Sequence, residues 1–111
     1  MIIKNLDSYL YIKPDKTKIQ EVEMYFNSKS KLSSSIIDLV KIDINKEGVT
    51  DSLKKINNFL NAPNKSCVFV KQLSIEEMYS IDLVFLPTIK EAKDFLIMDE
   101  IERDLKKKER N

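Results

Sequence analysis

The run Ile36-Ile37-Asp38-Leu39-Val40-Lys41-Ile42-Asp43-Ile44 is dense in β-branched side chains and predicts a strand in the middle of a sheet. Shortly after it, Val49, Leu53, Ile56 and Leu60 follow at spacings of 4, 3 and 4. That spacing puts four apolar side chains on one helical face and is the clearest amphipathic helix in the chain. A buried strand followed by an amphipathic helix is the repeating unit of an α/β sheet.

The flanks extend the same pattern. Upstream, Ile2-Ile3 and Tyr9-Leu10-Tyr11-Ile12 are strand-forming, and Asn5 to Ser8 carries turn chemistry, which predicts an N-terminal hairpin. Pro14 ends the second strand, Asp15 is the expected N-cap, and Ile19, Val22 and Phe26 form a helix face. Ser28 to Ser35 reads as a polar loop whose hydroxyls cap and solvate. Downstream, Ala62-Pro63-Asn64 ends the amphipathic helix, and Cys67-Val68-Phe69-Val70 predicts a buried strand. Ser74-Ile75-Glu76-Glu77 matches a capping box opening a short helix to about Tyr79. Leu83 to Leu86 is the expected last strand, and Thr88-Ile89-Lys90-Glu91 is a second capping box at the start of the last helix. The predicted fold class is therefore α/β. An N-terminal β-hairpin precedes alternating helices and strands, giving a mostly parallel sheet of about five strands with helices packed on it. Residues 1–111 form one domain, with 98–111 as the charged end of the last helix.

Composition narrows the function classes. The chain has no histidine and one glycine. Without imidazole, the usual general base, the Ser-His-Asp and Cys-His nucleophiles and most catalytic zinc sites are excluded. One glycine excludes the glycine-rich phosphate loops. The 19 basic and 18 acidic residues nearly cancel, so no overall field draws the chain to nucleic acid or a membrane surface. The lone Cys67 forms no internal disulfide and suits a reducing compartment. Neither an apolar signal core nor a run of about 20 apolar residues is present, which predicts a cytoplasmic protein. Composition thus argues against an enzyme and implies no cofactor.

The element order resembles that of STAS domains, the anti-sigma-factor-antagonist family. Two stretches carry the resemblance. The first is Ile36 to Val49, similar to the family's central strand and the Asp-Ser-Ser/Thr-Gly turn that follows it, with Gly48 on the glycine of that turn. The second is Val84-Phe85-Leu86-Pro87-Thr88-Ile89-Lys90-Glu91-Ala92, similar to the family's last strand, Pro-Thr and helix start. Ile97 to Leu105 further resembles the ending of short bacterial STAS-like proteins, some of which carry a ribonuclease Z label. That label describes a two-zinc nuclease rich in histidines, and this chain has none.

The resemblance implies a non-catalytic regulatory module that binds another protein through Asn45, Lys46, Glu47 and Gly48. The family's partner type is a kinase-like anti-sigma factor, and its switch is phosphorylation of a turn hydroxyl. Here Lys46 and Glu47 stand at the hydroxyl positions and Asn45 at the preceding Asp. Glu47 reads in two ways, as an anion imitating a phosphorylated turn or as an ordinary acidic residue of a first helical turn. The alternative function is an accessory subunit of an RNA-processing enzyme, acting through the last helix and basic tail without chemistry of its own.

Other candidates have plainer readings. Asp38 and Asp43, at odd separation in a strand, point to opposite faces, so capping or surface roles outweigh a carboxylate dyad. Cys67 among Val68, Phe69 and Val70 reads as a core thiol. Asp99, Glu100, Glu102 and Asp104 alternate with basic residues at i,i+4, as in a solvated helix. In the last helix Ile89, Ala92, Phe95 and Leu96 share one side, while Met98, Ile101 and Leu105 share roughly the opposite one. One straight helix cannot bury both sets against one sheet. The second set therefore predicts a bend near Ile97 or a further contact, with a homodimer mate, a partner protein or the hairpin as candidates.

Overall fold

The computed structural model describes residues 1–6, 8–16 and 18–109, without the side chains of 107–109. The elements are β1 (Ile2–Leu6), β2 (Tyr9–Lys13), α1 (Ile19–Asn27), β3 (Ser35–Asp38), α2 (Val49–Asn61), β4 (Cys67–Val70), α3 (Ile75–Ser80), β5 (Phe85–Leu86) and α4 (Ile89–Glu109). The sheet order is β1-β2-β3-β4-β5, antiparallel between β1 and β2 and parallel thereafter. This is the expected hairpin followed by an alternating, mostly parallel sheet.

Strand periodicity sorts the core into two layers. Leu10, Ile12, Ile37, Cys67 and Phe69 face α1 and α2, where Val22, Phe26, Leu53, Ile56 and Leu60 close the larger core. Ile36, Val68 and Val70 face α4 and meet Ala92 and Leu96, with Tyr9 and Tyr11 at the margin. All four residues of both β3 and β4 are buried, which is why β4 reads as a continuous apolar run, while β3 buries Ser35 and Asp38 beside Ile36 and Ile37.

Several local expectations are corrected. The predicted strand Ile36–Ile44 stops at Asp38. The Asp38 carboxylate accepts the Val40 N–H at 3.1 Å, and the Ile42 N–H bonds the Leu39 carbonyl at 2.9 Å, so the backbone turns away from the ladder. Leu39, Ile42 and Ile44 are nevertheless buried, and their apolar character serves a loop folded onto the core. The last strand is likewise shorter than Leu83–Leu86. Asp15 does not cap α1. Lys18 occupies the N-cap without a side-chain bond, and the Asp15 carboxylate accepts from the Met1 amino group at 3.0 Å. Ser34 and Ser35 are buried, with the Ser34 hydroxyl accepting the Ser66 N–H at 3.0 Å. The Ser74–Glu77 capping box forms in both directions. At α4 the Thr88 hydroxyl accepts the Glu91 N–H at 3.2 Å and also bonds the Glu91 carboxylate, so that box is half made.

Candidate functional site

The turn Asn45–Gly48 sits between the end of β3 and the start of α2, and all four residues are exposed. Its exposure rests on buried anchors, because Ile42 and Ile44 before it and Val49 after it enter the core. Asp43 organises the turn. Its carboxylate accepts the Asn45 N–H at 3.0 Å, and its carbonyl accepts the Lys46 N–H at 3.2 Å. Asp43 is therefore not a strand residue facing away from Asp38. The Lys71 ammonium donates to the Leu39 carbonyl at 3.2 Å and the Ile42 carbonyl at 2.6 Å, tying the loop to the end of β4.

Gly48 is the N-cap of α2 and has φ 84°, a left-handed conformation that glycine adopts without a Cβ penalty. Glu47 thus precedes the cap and lies outside the first helical turn, where Asp51 supplies the acidic residue. Lys46 and Glu47, with Lys16, Gln20, Ile42 and Asp43, border a shallow depression of about 120 Å³.

The sequence carries no signal for the neighbour of this turn. The Glu77 carboxylate accepts the Ser74 N–H at 3.0 Å. Hydrogen bonds from the Ser74 backbone and side chain hold the Glu77 carboxyl below its ordinary range, and the Asn45 side chain and the Lys71 charge act in the same direction. The capping box of α3 therefore abuts the turn.

Elsewhere at the carboxyl ends of the parallel strands lies an open depression of about 570 Å³ bordered by Lys13, Asp38, Val40, Lys71 and Thr88. Asp38 is 7% exposed, and its carboxylate receives the Tyr11 hydroxyl at 2.6 Å, so it is buried and satisfied rather than a surface residue. At the opposite end of the sheet, Ser66 donates to Asp99, which Arg103 approaches at 3.3 Å beside a depression of about 300 Å³. Burial pushes the Cys67 thiol far up, so the reactive thiolate is disfavoured.

Met98, Ile101 and Leu105 are about half exposed on an unbroken α4. They lie on the opposite side of the sheet from the Asn45–Gly48 turn, so the two predicted contact surfaces are separate. Lys108 and Arg110 of the basic tail fall outside the described side chains. Among the described residues no helix is long and apolar enough to cross a membrane, and no group of three or more His, Cys, Asp or Glu could hold a metal ion. Comparison with protein-family models and with curated proteins returns no match.

Proposed function

We propose that the protein is a non-catalytic, STAS-like interaction module of a bacterial cytoplasm, binding another protein through Asn45, Lys46, Glu47 and Gly48. One observation carries this: four consecutive exposed residues ride on a turn held from below by Asp43, Lys71 and three buried aliphatic anchors. A surface of this kind is presented in nearly one conformation, which lowers the ordering cost of binding. The strand order with its N-terminal hairpin supports the same assignment. Lys46 and Glu47 offer no hydroxyl, so the contact is constitutive rather than switched by phosphorylation at the turn.

The half-exposed Met98, Ile101 and Leu105 favour a second contact through α4, with another copy of the chain as the occupant.

A photo-crosslinking residue at position 46, with position 55 of α2 as control, tests the turn in cells of the natural host. A discrete adduct from position 46, lost on Glu47→Arg and absent from position 55, is the expected result. Identical patterns from both positions overturn the proposal.

A further inference from the structure

Helix α3 buries none of its six residues. Ile75, Met78 and Tyr79, at i, i+3 and i+4, lie on one face and are 72%, 48% and 88% exposed. Three large apolar side chains held open on so short an element form an unusual surface, and such patches on soluble chains mark contacts. The strip is also fixed in place, because the reciprocal Ser74–Glu77 cap closes the helix start and Glu77 reaches the Asn45 side chain.

The charged side chains of the segment that carries this strip have one sign. Residues 72–89 contain Glu76, Glu77 and Asp82 and no lysine or arginine, in a chain with 19 basic residues. The cation at the start of this segment, Lys71, is engaged by the Leu39 and Ile42 carbonyls. The outer stripe of α4 differs, since Lys90, Lys93 and Lys106 are interspersed with its acids. An apolar strip on a segment that carries acids and no lysine or arginine complements an apolar strip flanked by lysine or arginine. At a rise of 1.5 Å per residue α3 is about 9 Å long, the span of roughly two turns of a partner helix.

We infer that the Ile75–Met78–Tyr79 face of α3 docks a basic amphipathic helix of another protein. This deepens the proposed interaction function and rests on it, adding a second surface on α3, whose Glu77 side lies toward Asn45 while the strip faces away from it.

The probe is a labelled helical peptide of about 18 residues with leucine at i, i+3, i+4 and i+7 and lysine elsewhere, titrated into the full chain beside a glutamate counterpart. The lysine peptide binds, shifts the amide resonances of Ile75, Met78 and Tyr79, and weakens with added salt. Ile75→Lys combined with Tyr79→Lys reduces its affinity about tenfold or more. Tyr79→Ala alone, with a smaller loss, serves if the double variant loses its circular dichroism signal. No binding, equal binding of the glutamate peptide, unchanged affinity in both variants, or shifts confined to α4 overturns the inference. The position-46 crosslink is a separate readout. Its absence removes the turn while a peptide response at α3 keeps the strip, and the reverse pattern removes the strip alone.

Discussion

Across the β2–β3 pair, the Tyr11 hydroxyl donates a 2.6 Å hydrogen bond to the Asp38 carboxylate. Tyr11 registers with Ile36, so the bond runs diagonally to a residue two further along β3 on the same sheet face. It satisfies a buried carboxylate at the point where the chain leaves the sheet to form the Asn45–Gly48 turn. Burial, then this hydrogen bond and the Asp38 charge, push the Tyr11 phenol up to about 12.

Tyr11→Phe removes one of two hydrogen bonds to Asp38 and leaves the Val40 N–H. The expected loss is about 1.5 kcal/mol, the low end for bonds to charged groups because Tyr11 is only partly buried. Urea denaturation at neutral pH measures it. The folded phenol titrates above its unfolded value of about 10. Its stabilising contribution is therefore complete below pH about 10 and is lost as pH rises toward 12. Absorbance titration shows a late phenol that is absent from Tyr11→Phe. A high-pH titration curve that Tyr11→Phe leaves unchanged contradicts the geometry.

Gly48→Ala tests the left-handed cap. A Cβ at Gly48 meets no heavy atom within 4 Å, so the cost is backbone strain alone. Placing an L side chain at φ 84° costs about 1–2 kcal/mol, and Gly48→Asn recovers part of it. An unchanged denaturation midpoint for Gly48→Ala refutes that conformation.

Ser74→Ala removes a cap from a helix that buries nothing. Its effect is therefore local: amide exchange across Ile75–Ser80 accelerates, while global stability moves by less than about 0.5 kcal/mol. The Glu77 carboxyl is lowered in the folded state, so its contribution is present above the unfolded value and disappears as pH falls through the folded one. The protection of the Ser74 amide relative to its intrinsic exchange rate falls correspondingly at acid pH. Cooperative loss of the whole domain in Ser74→Ala contradicts this.

Cys67 faces the larger core, and burial raises its thiol. A thiol reagent modifies it only when the domain opens, so labelling tracks global unfolding across a denaturant series. Rapid labelling of the native chain places the thiol elsewhere.

Met98→Lys with Ile101→Lys leaves the fold intact, because both side chains already reach solvent. Light scattering then gives a dimer for the original chain and a monomer for the variant. A monomer in both removes α4 as a self-contact.

Much of the architecture is legible from spacing. Val49, Leu53, Ile56 and Leu60 predict α2, and all four are buried. Cys67 to Val70 and the Ser74–Glu77 box appear where the residues place them. The strand through Ile44 is not found, because β-branched content reports burial and is equally satisfied in a loop pinned to the core. Asp15 and Glu47 are misplaced for a related reason: an acidic residue near a helix start does not determine which residue becomes the cap. The exposed turn is legible as a position, whereas its contact with α3 is not, since Asn45 and Glu77 are far apart in the chain.

By itself the sequence determined the element order, the two apolar faces of α4 and the exclusion of histidine-based chemistry, because these depend on local periodicity and residue type. Only the tertiary structure decided which apolar stripe is covered, where β3 ends, and that Asn45 meets Glu77 and Tyr11 meets Asp38. Those outcomes depend on how parallel strands align and which helix lands on which face, and no single segment encodes that alignment.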